Sequence, residues 1–195
     1  MTPRTAAQFE ALRADAQDRL ERAALRVFAR RGYAGASVRD VAREAGVAQG
    51  LLYNYYPSKE ALLVAVFHRS MADVQASFAA AATGDVPPAE RIARLVRSSF
   101  AVLREHLAFW QLVYGIRYQT DVVAALGPAL QAWTDGIRDE LEAHLRAAGQ
   151  RDPAVGARLL FAAIDGVAQH YALDPEHYPL DAVAEHLIAT FAGSR

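Results

Sequence analysis

Residues 33–63 read YAGASVRDVAREAGVAQGLLYNYYPSKEALL, and the spacing of capping, apolar and turn residues in this stretch decides the fold. Ser37 stands where an N-cap hydroxyl belongs, and Asp40 follows three residues on, as in a capping box, so the pair predicts the start of a helix. Val38, Val41, Ala42 and Ala45 then recur at helical spacing and supply one apolar face. Gly46 comes where that helix must stop, because glycine takes a positive φ without steric cost. After the turn at Gly46-Val47, a second short helix is predicted from about Ala48 to Tyr55. It buries Leu52 and shows Gln49, Gly50, Leu51, Tyr53 and Asn54. Two short helices joined by a glycine turn have the form of a helix-turn-helix. The small, polar and aromatic outer face suits a major groove about 12 Å wide, with its first turn near base edges and its tyrosines near phosphates.

Outward from this stretch the pattern is helical throughout, with no period-two segment long enough for a sheet, so the fold class is all-α. A first helix is expected from about Asp18 to Arg30, with Leu20, Ala23, Ala24, Val27 and Phe28 on its buried stripe. Pro57 ends the second short helix, Ser58 caps the next, and a long helix runs to about Ala80. Thr83-Gly84-Asp85-Val86-Pro87-Pro88 is a break. Helices then follow through Ile92 to Leu103, Leu107 to Tyr118, Asp121 to Ala148, Pro153 to Leu173 and Leu180 to Phe191. Gly127-Pro128 predicts a kink or a fresh helix start inside the third of these. Two domains are expected: residues 1–60 as an N-terminal arm with the helix-turn-helix, and residues 61–195 as a helical bundle.

The 195 residues are 53% hydrophobic, enough for a substantial core, and contain no cysteine, which excludes disulfides and thiolate metal sites. There is no apolar run long enough to cross a membrane and no secretory signal pattern at the N-terminus, so a cytoplasmic protein is expected. The net charge is −1, but it is unevenly spread. Residues 1–60 hold ten Arg or Lys against seven Asp or Glu, and residues 61–195 hold eleven against fifteen. A modestly basic N-terminal part can follow phosphates while the acidic remainder stays off the nucleic acid. Lys59 is the sole lysine among 21 basic residues.

Gly32-Tyr33, Ser37-Val38-Arg39-Asp40-Val41-Ala42, Ala45-Gly46-Val47, Gly50, Leu52-Tyr53, Tyr55-Tyr56 and Ser58-Lys59-Glu60-Ala61-Leu62 agree in one ungapped register with a known pattern. Over residues 18–67 the chain resembles the TetR family of one-component transcriptional regulators. It departs from the common pattern at Ala48, where a serine or threonine often caps the recognition helix, and at Leu51, where a small hydroxyl residue is frequent. The resemblance implies double-stranded, palindromic operator DNA as a partner, with Ser37, Val38, Arg39, Ala48, Gln49, Gly50, Leu51, Tyr53, Asn54, Tyr55 and Lys59 at the interface. Lys59 would meet a phosphate; a solvated lysine at a helix start is the alternative. The resemblance also implies a homodimer whose last two helices pair with their mates, through Leu160, Ile164, Val167, Tyr171, Val183, Leu187 and Phe191. In a monomer the same stripes would only cover the core.

Aromatic residues concentrate in the second half, and their default place is the core. Tyr and Trp need partners for their polar tips, however, and Gly115, Gly136 and Gly166 lower the packing of their helices, so a ligand cavity would account for both. The expected lining is Phe67, Phe100, Leu103, Phe109, Trp110, Tyr114, Tyr118, Trp133, Phe161, Asp165 and Gln169, with an unidentified small-molecule effector. Asp165 interrupts an apolar stretch, and must pair with a basic ligand or with a protein group, or face solvent. No HExxH, GxSxG or phosphate-cradling glycine loop occurs, and His177 with Asp181 is the nearest approach to a metal pair, so neither catalysis, a metal nor a cofactor is expected. These readings converge on a ligand-responsive repressor. A helical interaction module without a ligand, and an activator or corepressor-type regulator, are the competing classes.

Overall fold

The computed structural model describes residues 6–81, 86–117 and 119–192. Within them the chain forms α1 (Ala6–Arg31), α2 (Val38–Ala45), α3 (Gln49–Tyr53), α4 (Lys59–Ala81), α5 (Pro88–Glu105), α6 (Leu107–Ile116), α7 (Thr120–Ala147), α8 (Pro153–Leu173) and α9 (Leu180–Ala192), with no strand among the described residues. The all-α expectation holds. Tyr118, Thr83, Gly84, Asp85 and the tail at residues 193–195 lie outside the described residues.

The local signals around the first turn act as their chemistry requires. Ser37 is extended (φ −116°, ψ 156°) and its hydroxyl accepts from the Asp40 amide at 3.1 Å, while the Asp40 carboxylate accepts from the Ser37 amide at 3.1 Å. Gly46 closes α2 at φ 68°, in the left-handed region open to glycine. The Val47 amide donates to Ala42 O at 3.0 Å and the Gly46 amide to Arg43 O at 3.2 Å, a Schellman ending that satisfies carbonyls the helix would leave orphaned. Ion pairs then fix α2 against α1: Glu44 takes Arg26 and Arg30 at 2.9 and 2.8 Å, and Asp40 takes Arg31 at 2.9 Å.

The start of α1 differs from expectation, and of the two alternatives at Gly127-Pro128 the fresh start is not seen. Helix α1 begins at Ala6, not near Asp18. Residues 6–17, AAQFEALRADAQ, lack glycine and proline and are rich in alanine and other strong helix formers, so propensity extends the helix beyond its buried stripe. Helix α7 runs through Gly127-Pro128 without a fresh start. Proline removes one backbone hydrogen bond there, and the preceding residue, being glycine, has no Cβ to clash with the ring.

The core is one continuous cluster from α1 to α9, with Phe28, Leu52, Phe67, Phe109 and Leu141 among its fully buried members. Helix α1 packs against α2, α4 and α6; α5 packs against α7 and α9; and α8 packs against α6, α7 and α9. Helix α4 begins at Lys59 and runs unbroken to Ala81, so the expected division after residue 60 falls inside its first turn.

Candidate nucleic-acid interface and ligand cleft

The α2–α3 pair presents most of the expected DNA-facing residues to solvent. Leu52 is fully buried and anchors α3, while Ala48, Gln49, Gly50, Leu51, Tyr53 and Asn54 are exposed, as are Ser37 and Arg39 on α2's side. Ala48 holds an extended N-cap conformation (φ −68°, ψ 142°) but makes no side-chain cap, as an alanine must. Tyr55 is half-buried beneath the Arg13 guanidinium, 5.9 Å from its ring centre. Val38 departs from the expected set. It is buried, because its place in the apolar period of α2 turns it into the core and away from any groove.

Lys59 has an internal engagement that its position in the sequence did not reveal. Its ammonium donates to Tyr33 O at 2.9 Å and Ala36 O at 3.0 Å, and lies 4.3 Å from the centre of the Tyr33 ring. It thereby ties the start of α4 to the loop that leads into α2. Tyr33 in turn donates to Glu60 at 3.2 Å; burial and then the neighbouring Glu60 charge push its phenol up to about 12.

In the bundle, the aromatic residues expected around a cavity meet one another instead. Ring centres are 5.7 Å apart for Phe67–Phe109, 5.4 Å for Phe109–Trp110 and 5.5 Å for Trp110–Trp133, the spacing of packed aromatic pairs. Phe67, Phe100, Leu103, Phe109 and Trp110 are all buried and belong to the core. Trp110 Nε1 is buried with no hydrogen-bond partner among the described residues. Asp165 is taken up by protein groups: Arg117 donates to it at 2.9 Å and the Tyr114 hydroxyl at 3.4 Å, tying α6 to α8. Burial, and then the Asp165 charge, push the Tyr114 phenol well above its ordinary value. Phe161 and Gln169 are half-buried on α8. Apart from Trp133, the described residues named here do not line the cleft described next.

That cleft, of about 590 Å³, lies between α4, α5 and α7. Phe78 of α4, Leu95 of α5, and Trp133 and Ile137 of α7 give it apolar walls; Ser98, Ser99, Arg91, Arg94, Glu140 and His144 add polar groups. Its size and mixed lining are those of a small-molecule site. Among the described residues, Trp133 is the one expected lining residue that borders it. Gly136 supplies a second link to the sequence: it lines the cleft, and a Cβ placed there would meet nothing within 4 Å. Gly136 is an exposed position, so the open space beside it is on the solvent side of the cleft. The α5 residues were missed because Leu95 and Ser99 share the helix's buried stripe; the adjacent hydroxyls of Ser98 and Ser99 were the available signal.

Helices α8 and α9 leave an apolar face open. Leu159 is 58% and Leu173 77% exposed, with Val155 one turn before Leu159 also exposed. Ile164, Val167 and Tyr171 on α8 and Val183, Leu187 and Phe191 on α9 are half-buried. Leu160 is fully buried and points inward, because it packs in the monomer's own core. His177 pairs with Asp174 at 2.8 Å and Asp181 with Arg104 at 2.8 Å, so the two do not form a metal pair. No group of three or more His, Asp or Glu that could hold a metal occurs among the described residues, and no helix there is long and apolar enough to cross a membrane.

Residues 21–66 match the family model of bacterial regulatory proteins of the tetR family, and residues 88–194 that of the tetracyclin repressor-like C-terminal domain. The transcriptional regulator BetI of Rhizobium meliloti is 32% identical over 135 residues, which span 68% of this chain and 65% of that protein. A TetR-like regulator from Rhodococcus sp. RHA1 superposes with a TM-score of 0.79 at 24% identity, over 100% of both chains. The regulator FadR of Bacillus subtilis, solved with stearoyl-CoA, has a TM-score of 0.73 at 18% identity, over 90% of this chain and 97% of that one. A regulator of Saccharomonospora viridis, solved with choline, has a TM-score of 0.70 at 23% identity, over 89% and 94%. The capped helix-turn-helix of α2 and α3, together with a family match that extends through more than half of the chain beyond it, leads to one conclusion: the chain belongs to the TetR family of DNA-binding transcriptional regulators.

Proposed function

We propose that the chain is a repressor that grips a palindromic operator as a homodimer and lets go when a small molecule fills the cleft between α4, α5 and α7. The observation that carries this reading is where the cleft lies. Its α4 wall belongs to the same helix that begins at Lys59 beside the reader. Its α7 wall holds Trp133, whose ring meets Trp110 of α6, and α6 packs against α1. A ligand in the cleft thus touches elements that position the reader. It loosens DNA only by its preference for the state with mismatched reader spacing, and a hundredfold release requires about 2.8 kcal/mol of such preference. The relatives solved with stearoyl-CoA and choline support a small-molecule site in this fold.

In this reading residues 1–60 read DNA and residues 61–195 sense and pair, in the cytoplasm where the operator is. Gln49 and Leu51 face bases; Arg39, Tyr53, Asn54, Tyr55 and the remaining donor of Lys59 face phosphates. The dimer forms through the open face of α8 and α9, with Val155 and Leu159 added to the expected set and Leu160 removed. The interdigitated aromatic cluster favours the competing reading, an interaction module without a ligand; the cleft favours the regulator.

Footprinting of the DNA upstream of the coding region, with and without a compound panel, tests the proposal. The expected result is a protected palindrome that a compound clears, while Gln49→Ala relaxes preference at particular base pairs and Trp133→Ala alters compound response alone. A protected site that no compound affects would favour the interaction module, and a compound that strengthens protection would make the chain a corepressor-type regulator.

A further inference from the structure

Helix α1 reaches well beyond the core that it serves. It begins at Ala6, yet the first of its described side chains to be fully buried is Leu20, and residues 12–15 are all exposed. One residue of that exposed turn meets the reader: the Arg13 guanidinium lies 5.9 Å from the centre of the Tyr55 ring. The Tyr55 amide donates to Leu52 O at 3.0 Å, so this tyrosine directly continues the end of α3. The contact sets a cation beside the recognition helix.

Most other cations around the reader are engaged inside the protein. Asp18 takes Arg22 at 2.8 Å, Glu44 takes Arg26 and Arg30, and Asp40 takes Arg31 and Arg43. Arg19 donates to Ala45 O at 3.1 Å, and Lys59 to Tyr33 O and Ala36 O. Between residues 8 and 59, Arg13 and Arg39 are the cations that make no hydrogen bond or ion pair among the described residues. Glu10 and Asp15, the carboxylates nearest to Arg13 along α1, do not pair with it. Arg39 already belongs to the expected interface. Arg13 does not, and contact with a ring orients its guanidinium without using any of its N–H donors.

We infer that Arg13 is a further DNA-binding residue, a phosphate contact made from α1 at the Tyr55 end of α3, outside the footprint of α2, α3 and Lys59. The inference rests on α3 being the recognition helix. A guanidinium and a phosphate form paired, charge-assisted hydrogen bonds. The Tyr55 ring holds the fork close to the backbone that this tyrosine faces. A phosphate contact carries no sequence information, so Arg13 adds affinity for every duplex alike.

The full chain is titrated, at several salt concentrations, with a duplex carrying the protected upstream site and with an unrelated duplex of the same length. Arg13→Gln should weaken both by the same factor and reduce the salt slope by about one per site. Arg13→Lys keeps the charge and should keep the slope. Both variants should melt at the wild-type temperature, since the side chain is exposed. Arg22→Gln is the control: it removes the same charge from α1 about 180° around the helix axis, and should leave the slope unchanged. A wild-type slope and affinity in Arg13→Gln overturns the inference. So does an equal loss in Arg22→Gln, which would show a general charge effect, or a lowered melting temperature with a slope that Arg13→Lys fails to restore, which would make Arg13 a packing partner of Tyr55. Gln49→Ala and Lys59→Ala, run alongside, separate this failure from that of the reader: if they alter binding while Arg13→Gln does not, only the inference falls, and if none of the three does, the recognition face itself is misplaced.

Discussion

An ammonium group has three N–H donors, and Lys59 places two of them on Tyr33 O and Ala36 O. Lys59→Ala should therefore lower the urea midpoint of the whole chain, by about 2 kcal/mol in stability, as well as weaken every DNA sequence about alike and reduce the salt slope by about one per site. Operator titrations at several salt concentrations, paired with unfolding curves, separate the two; an unchanged midpoint would remove the internal role. Ala48 offers the opposite experiment. Its backbone is already extended as an N-cap should be, so Ala48→Ser should stabilise the chain by about 1 kcal/mol, read as a rise in melting temperature. The capping box at Ser37 was legible in the sequence because both its bonds are made within four residues. The role of Lys59 was not, since its carbonyl partners lie more than twenty residues back and the contact exists only once α1 and α4 are packed.

At the scale of elements, α2 is held to α1 by carboxylates that titrate low. The Ser37 hydroxyl, followed by Arg31 and Arg43, holds Asp40 below its ordinary value of 3.8, and Arg26 and Arg30 hold Glu44 below 4.5. The unfolded chain binds these protons more tightly, so the stabilisation is complete above the ordinary values and drains away as pH falls through the lower folded ones. Glu44→Gln should flatten that acid dependence, measured as the difference in urea midpoint between neutral and strongly acid buffer; a variant as acid-sensitive as the wild type would contradict it. On α8, Leu159→Glu puts a charge on an exposed position of the open apolar face, and should give folded monomers in sedimentation analysis without loss of helical signal. A persistent dimer would place the interface elsewhere. The apolar period of α8 was plain in the sequence, but which of two adjacent leucines faces inward was not. Leu159 and Leu160 differ by about 100° around the helix axis, and only the packing of α8 against α7 selects between them.

For the whole molecule, one core that includes residues from α1 to α9 predicts a single unfolding transition. Both tryptophans, Trp110 and Trp133, lie in the bundle, so their fluorescence should change at the same urea concentration at which operator binding is lost. An earlier loss of DNA binding would show that the reader melts alone. The fold class and reader were legible because their signals are local and periodic, whereas the cleft is a gap between α4, α5 and α7, defined by which aromatic residues fill one another's space. The unbroken course of α4 also has a mechanical meaning. Phe78 at the cleft and Lys59 beside the reader are separated by about 28 Å of one rigid rod, at 1.5 Å per residue. A tilt of about 6° at the cleft end then displaces the far end by about 3 Å, close to the rise of one base pair, so a ligand that wedges the rod by a few degrees puts a reading head out of register by a full step of the duplex.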